Sequence, residues 1–316
     1  KAIHEVAGPH HWLSQFAISH WAFGPSVALA GMTDRAKDEI LSGLVAGDQI
    51  MCFGMSEPDA GSDALAMRTT ARPVDGGWVL NGRKIWTSHA PIADWMLAFA
   101  VTADRESNGG RPGISAFMVP MDAEGIEIHS IIKMWDEIGG HEAETALTDV
   151  RVEEWQLVGE LNRGFAAAMQ GVSLGRIYNS ARGYAIGRWA LDVAIEYSTQ
   201  RATFGKKLFE HQAVLHPLAE SAARLMAADA FSSQVARSLD AGKRLKKEVA
   251  AMKYLAVRAG FEAVDRAMQT HGAIGFSNEL GLTEAYKTLR KLRVADGTDE
   301  ILLRTIGAEL VHDGHL

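Results

Sequence analysis

Apolar positions change their rhythm twice along this chain. Residues 1–49 carry helical spacing, clearest in "TDRAKDEILSGLVAGD", where Thr33 stands as a cap ahead of the apolar positions. From residue 50 to 157 the segments shorten: "GWVLNGRKIWTS", "WMLAFAVTA", "ISAFMVPM" and "IEIHSI" are rich in β-branched and aromatic residues. Turn signals at Asp75, Asn81 and Asn108 separate them. That stretch predicts an antiparallel β domain. From residue 158 to 316 helical spacing returns. One helix is predicted from near Gly164 to Gln200, and a second around Leu218, Ala222, Leu225 and Ala228, with Pro217 marking a start or kink nearby. A third runs through Met252, Leu255, Ala259 and Ala263 and stops at Gly272. Long antiparallel helices with short connections predict a C-terminal four-helix bundle. The expected fold class is α+β and multi-domain: helical over 1–49, β over 50–157, and helical over 158–316.

Composition narrows the function. With 316 residues, 47% of them hydrophobic, the chain is long enough for two or three domains with real cores. A net charge of −7 argues against nucleic acid as a partner, and the basic run Lys243–Glu248 reads as a solvated helix face. The single cysteine, Cys52, excludes an internal disulfide and fits a reducing compartment; the expected location is cytoplasmic, or the mitochondrial matrix if the source is eukaryotic. No apolar run approaches the roughly 20 residues of a membrane span, and the first residues lack a signal-peptide layout. His10, His11 and His20 do not fall into a metal-ligand pattern, so no metal is expected. The dinucleotide, phosphate-loop and nucleophile-elbow signatures are all missing.

One short stretch, "VADGTDEI", holds the central ambiguity. Asp296 lies just ahead of the apolar run "ILLRTIGAEL", so the local pattern reads it as an N-cap favoured by the helix dipole. The other reading makes it a proton-transfer base.

Four stretches bear on that choice: "CFGMSEPDAGSDALAMRTTA" from Cys52, "LNGRKIWTSHAPIADW" from Leu80, "RATFGKKLFEHQAV" from Arg201, and "QTHGAIGFSNELGLTEAYKTLRKLRVADGTDEI" from Gln269. The Gly- and Ser-rich "EPDAGSD" brings backbone amides close to a ligand. Arg201 suits a pyrophosphate and Phe204 an adenine face. In order and spacing the set resembles the acyl-CoA dehydrogenase family of flavoproteins from near Gly31 to the C-terminus. The resemblance implies helical, β and helical domains, the first of them shortened here, with FAD held between the β domain and the bundle. It also implies an acyl-CoA substrate, a homo-oligomer (dimer or tetramer) and an electron-transfer flavoprotein as oxidant.

Residue by residue, the resemblance assigns Phe53, Met55, Ser56, Trp86 and Ser88 to the flavin ring, and Gly61 and Ser62 to the flavin and acyl-CoA path. It assigns Arg201, Phe204, His211, Gln212, Gln269 and Gly272 to the FAD of a neighbouring subunit. It also assigns Thr298 and Glu300 to the cofactor, and Ser62, Arg176 and Gly297 to the substrate. Asp296 matches the carboxylate that takes the α-proton while hydride leaves Cβ, but the family usually carries Glu there. Asp is shorter by one methylene, roughly 1.5 Å of reach. Gly175 occupies the place where some relatives put an alternative base, which leaves Asp296 as the matched carboxylate. Ser88 replaces a usual Thr, and Glu300 a common Gln. The expected activity is FAD-dependent α,β-dehydrogenation of an acyl-CoA. A same-fold flavin oxidase, such as a nitroalkane oxidase, would differ by rapid reoxidation in air. A non-catalytic partner subunit would differ by losing FAD when expressed alone.

Overall fold

The computed structural model describes residues 24–135 and 142–314; His10, His11 and His20 lie outside the described residues. The described residues form two compact units, one up to Leu174 and the other from Gly175 onward.

The first unit is built on an eight-stranded sheet. Its strands are β1 (Met51–Gly54), β2 (Thr70–Val74), β3 (Gly77–Ser88), β4 (Trp95–Ala103), β5 (Gly113–Pro120), β6 (Ile126–Ile132), β7 (Glu142–Glu153) and β8 (Leu157–Val158). They lie in the order β6-β7-β3-β2-β4-β5-β8, with β1 added against β4. Neighbours run antiparallel except that β1 and β2 run parallel to β4, a refinement of the antiparallel expectation. Parallel neighbours need a crossover rather than a hairpin, and the "EPDAGSD" loop and β3 lie in the connection from β1 to β4.

The unbroken apolar runs of β4 and β5 follow from burial of both faces. Leu97, Phe99, Ile114, Ala116 and Met118 face one core, shared with Val27, Ile40 and Leu44 from the helical segments before β1. Met96, Ala98, Phe117 and Val119 alternate onto the other, shared with Leu80, Leu147 and Val150. Thr33 caps the segment before β1 as expected, its hydroxyl accepting from Ala36 N at 3.1 Å. The middle turn of that segment, Lys37–Leu41, is π-helical.

Five helices follow: α1 (Gly164–Gln200), whose residues from Gly175 onward belong to the second unit, α2 (Gln212–Asp240), α3 (Lys246–His271), α4 (Leu282–Leu292) and α5 (Asp299–Asp313). That is one more than the pattern predicts, because "LTEAYKTLRKL" forms the short α4 by itself. α3 packs against α2, α4 and α5. Against α1 it meets backbone to backbone: a Cβ on Gly260 would lie 2.0 Å from the Gly183 carbonyl oxygen, and one on Gly187 2.5 Å from Gly260 Cα. Pro217 lies inside α2 rather than at its start. Arg266 from α3 holds that turn by donating Nη1 to the Pro217 carbonyl at 2.6 Å.

Candidate active site

Three groups of the expected residues are built by local structure. The first lies where β1 ends. Glu57 is buried and accepts from Arg68 N at 2.5 Å, Thr69 N at 3.0 Å and Lys84 Nζ at 2.7 Å. Burial alone raises this carboxyl, but Lys84 and the donated hydrogen bonds outweigh it and hold Glu57 below its usual value. The ion pair therefore pins Glu57, at the start of the "EPDAGSD" loop, to β3, and the two amide hydrogen bonds close the chain from 57 to 69 upon it, leaving Gly61 and Ser62 exposed. Next to it, the β3–β7 register slips between Lys84 and Thr87. A bulge of this kind re-aims a side chain. Trp86 takes a left-handed φ of 58° and presents its ring at 53% exposure. Ile85 N donates to Ser56 O at 2.9 Å, which ties the bulge to the chain leaving β1 beside Phe53 and Met55. Ser88 ends the strand, its hydroxyl 3.4 Å from Glu142 Oε1.

The second group sits on a two-strand ribbon, β9 (Ala202–Thr203) and β10 (Lys206–Lys207), closed by Phe204 and Gly205 with φ of 50° and 78°. Two consecutive positive φ values make the hairpin turn that matches strand twist. They also thrust Phe204 out at 97% exposure. His211 Nε2 lies 3.2 Å from Thr203 O, with its ring edge-on to Phe204. Gln212 opens α2 next to it. His271 stacks on Tyr197 at 4.4 Å between ring centroids, and Arg201 N donates to Tyr197 O. The end of α3, with Gln269 and Gly272, is thereby brought near Arg201. Gly272, at φ 64° and ψ −135°, ends the helix as its sequence predicts.

The third group is the turn between α4 and α5, and it corrects the local reading of "VADGTDEI". Thr298, not Asp296, is the N-cap: its hydroxyl accepts from Ile301 N at 3.3 Å. The cap position needs an extended backbone, which Thr298 has at φ −60° and ψ 163°, whereas Asp296 is left-handed at φ 55°. The Asp296 side chain turns instead to α1, where the buried Asn179 donates Nδ2 to Oδ2 at 2.5 Å. Arg176 donates Nε to the Asp296 carbonyl at 3.1 Å. Lys253 donates Nζ to the carbonyls of Ala295 and Gly297, the latter at 2.6 Å. Gly297 has φ 94°, and a Cβ there would come within 3.2 Å of Arg176 Nη2. Asp299 fixes the start of α5 by accepting from Arg293 Nε at 2.8 Å and Arg258 Nη1 at 3.4 Å. Glu300 stays exposed in the first turn.

Burial pushes the Asp296 carboxyl up to about 6, although Lys253, Arg176 and Asn179 each pull it down. The pattern of residues missed Asn179 and Lys253. Asn179 follows Arg176 by three residues and so shares its helix face, a spacing that would have flagged it. Lys253 gave no such signal.

Comparison with known proteins matches residues 52–151 to the acyl-CoA dehydrogenase middle domain and 162–311 to the acyl-CoA dehydrogenase C-terminal domain. A 3-(aryl)acrylate reductase of Clostridium sporogenes (strain ATCC 15579) is 33% identical over 88% of this chain and 73% of its own. The mitochondrial short-chain specific acyl-CoA dehydrogenase of Bos taurus is 36% identical over 90% of this chain and 67% of its own. Among solved structures, a glutaryl-CoA dehydrogenase from Mycobacterium smegmatis in complex with FADH2 superposes with a TM-score of 0.86 at 26% identity, covering 92% of this chain and 73% of that one.

Proposed function

The chain belongs to the acyl-CoA dehydrogenase family, and on that premise we propose that it is an FAD enzyme forming an α,β double bond in an acyl-CoA, with Asp296 as base. The observation that carries this reading is the Asp296 carboxyl, anchored at Oδ2 by Asn179 and lifted by burial to about 6. A carboxylate so placed is ionised at neutral pH, yet is a stronger base than an exposed Asp. Its Oδ1 would receive the α-proton. Run in reverse, the same carboxyl returns that proton, which is the direction a reductase of this family requires.

The residues present fit FAD. Trp86 offers an exposed ring on a fixed bulge, and Phe204 a second ring at 97% exposure on its hairpin. FAD, when bound, supplies the two-electron acceptor that no amino-acid side chain provides. Phe53, Met55, Ser56, Trp86 and Ser88 would hold its ring, with Gly61 and Ser62 along the path it shares with substrate. Thr298 and Glu300 would also serve the cofactor, and Arg176 and Gly297 the substrate. Arg201, Phe204, His211, Gln212, Gln269 and Gly272 would hold the dinucleotide of a neighbouring copy in a homotetramer or dimer. An electron-transfer flavoprotein, in the cytoplasm or mitochondrial matrix, would reoxidise it.

Purified chain is expected to be yellow, with one FAD per chain, and to bleach anaerobically with a saturated acyl-CoA. Colourless protein that FAD does not reconstitute, or flavin that a panel of straight, branched and aryl acyl-CoAs leaves oxidised, would sink the reading. The ribbon is tested separately. Arg201→Ala is expected to lower FAD content and oligomer mass together, read by absorbance and light scattering on one sample. A stable monomer with full FAD would show that the ribbon serves no second copy.

A further inference from the structure

Hydropathy places Lys253 on the wrong side of its helix. It has 0% exposure, whereas Leu255 is 46% exposed. Burying an ammonium is strongly unfavourable unless it is paired or hydrogen-bonded. The groups that receive this one are not carboxylates. They are the carbonyls of Ala295 and Gly297, the two residues that flank Asp296. With Arg176 on the Asp296 carbonyl, three consecutive carbonyl oxygens are each held by a side-chain cation from another helix.

We propose that Lys253 is the positioning residue of the Asp296 turn, holding by its two carbonyl contacts the left-handed backbone that presents the base. The proposal rests on reading Asp296 as that base. A non-glycine residue persists at φ 55° only where its surroundings over-determine it. An ammonium with three donors suits two divergent carbonyls as a neutral side chain does not. The contacts also orient more than the carboxyl. All the described peptide bonds are trans, so each carbonyl opposes the N–H of the next residue. With the Ala295 and Gly297 carbonyls turned to Lys253, the amides of Asp296 and Thr298 face the opposite way. One cation thus fixes both peptide planes that flank the base.

The test uses Lys253→Met, which keeps the length of the stem and removes every donor. Three readings are taken on FAD-loaded protein: hydrogen exchange of the peptide spanning 293–299, affinity for an acyl-CoA that bleaches the wild type, and the limiting rate of anaerobic flavin reduction. Exchange in that peptide is expected to accelerate about tenfold or more while the rest of α3 stays protected. Affinity is expected to change little, and the reduction rate to fall on the order of 10²-fold, as for a misplaced reacting group. Native exchange and a native rate together overturn the proposal. If the wild type itself is not bleached by acyl-CoAs, the function falls, and accelerated exchange of 293–299 in the variant still upholds the positioning of the turn. Should the Met variant fail to fold, Lys253→Gln, which keeps a donor and loses the charge, decides by the same readings.

Discussion

Asp296→Asn is expected to yield folded, FAD-loaded protein that binds acyl-CoA but reduces its flavin about 10²- to 10⁴-fold more slowly, the usual loss when a general base is removed. A capping role would predict almost no change, since Asn and Asp cap alike. The structure has already given the cap to Thr298, so the substitution isolates basicity. Asn retains an oxygen for the Asn179 amide, which preserves the contact at 2.5 Å. In the wild type the reduction rate is expected to rise with pH through about 6, as the carboxyl ionises against its buried setting and toward Lys253 and Arg176. Stability carries the opposite sign. A carboxyl raised above its unfolded value contributes stability at low pH and loses it as pH rises through about 6. The Asn variant lacks that loss, so it is expected to melt several degrees above the wild type at pH 7, an advantage of up to roughly 3 kcal/mol that disappears near pH 4. A scan showing lower stability for Asn at pH 7 would contradict the buried-base account.

Lys84→Met is expected to be strongly destabilising. It strands the Glu57 carboxylate with amide donors alone in a site where both side chains are almost fully covered. Removing one partner of a buried pair costs about 3–5 kcal/mol, a fall in melting temperature on the order of 10 °C. Because the pair fastens the "EPDAGSD" loop, FAD affinity is expected to fall with it. The double variant Glu57→Leu, Lys84→Met removes the stranded charge and is expected to recover most of the stability. It would not recover FAD affinity, since the amides of Arg68 and Thr69 then lose their anchor. Recovery of both would show that the loop needs no clamp.

The periodic parts of this chain were legible before any coordinates. α1 runs from Gly164 to Gln200, where the apolar spacing begins and ends, and β4 and β5 match their apolar runs. Thr33 and Gly272 act as the start and stop signals they resemble. What escaped was set by contacts distant in sequence. Whether β1 runs parallel or antiparallel to β4 depends on a crossover that neither strand encodes alone. Leu255 sits on an apolar repeat yet faces solvent, and Lys253 breaks the repeat yet is buried, because carbonyls from a turn some forty residues later receive its charge. The identity of the N-cap was invisible for the same reason. "ADGTD" holds three residue types that cap well, and only backbone dihedrals choose between them.

The bare contact between α1 and α3 bears on how this catalyst can be altered. Asn179 lies one turn before Gly183, and Lys253 two turns before Gly260, so the groups that grip Asp296 are spaced by the thickness of two peptide backbones. Where Gly183 and Gly187 meet Gly260 the contact is backbone on backbone, with no side chain of their own to exchange for a larger or smaller one. A library aimed at a new acyl group would therefore keep Gly183, Gly187 and Gly260 invariant. Even one added methyl there would part the helices and separate Asn179 from Lys253, whatever pocket had been designed around them.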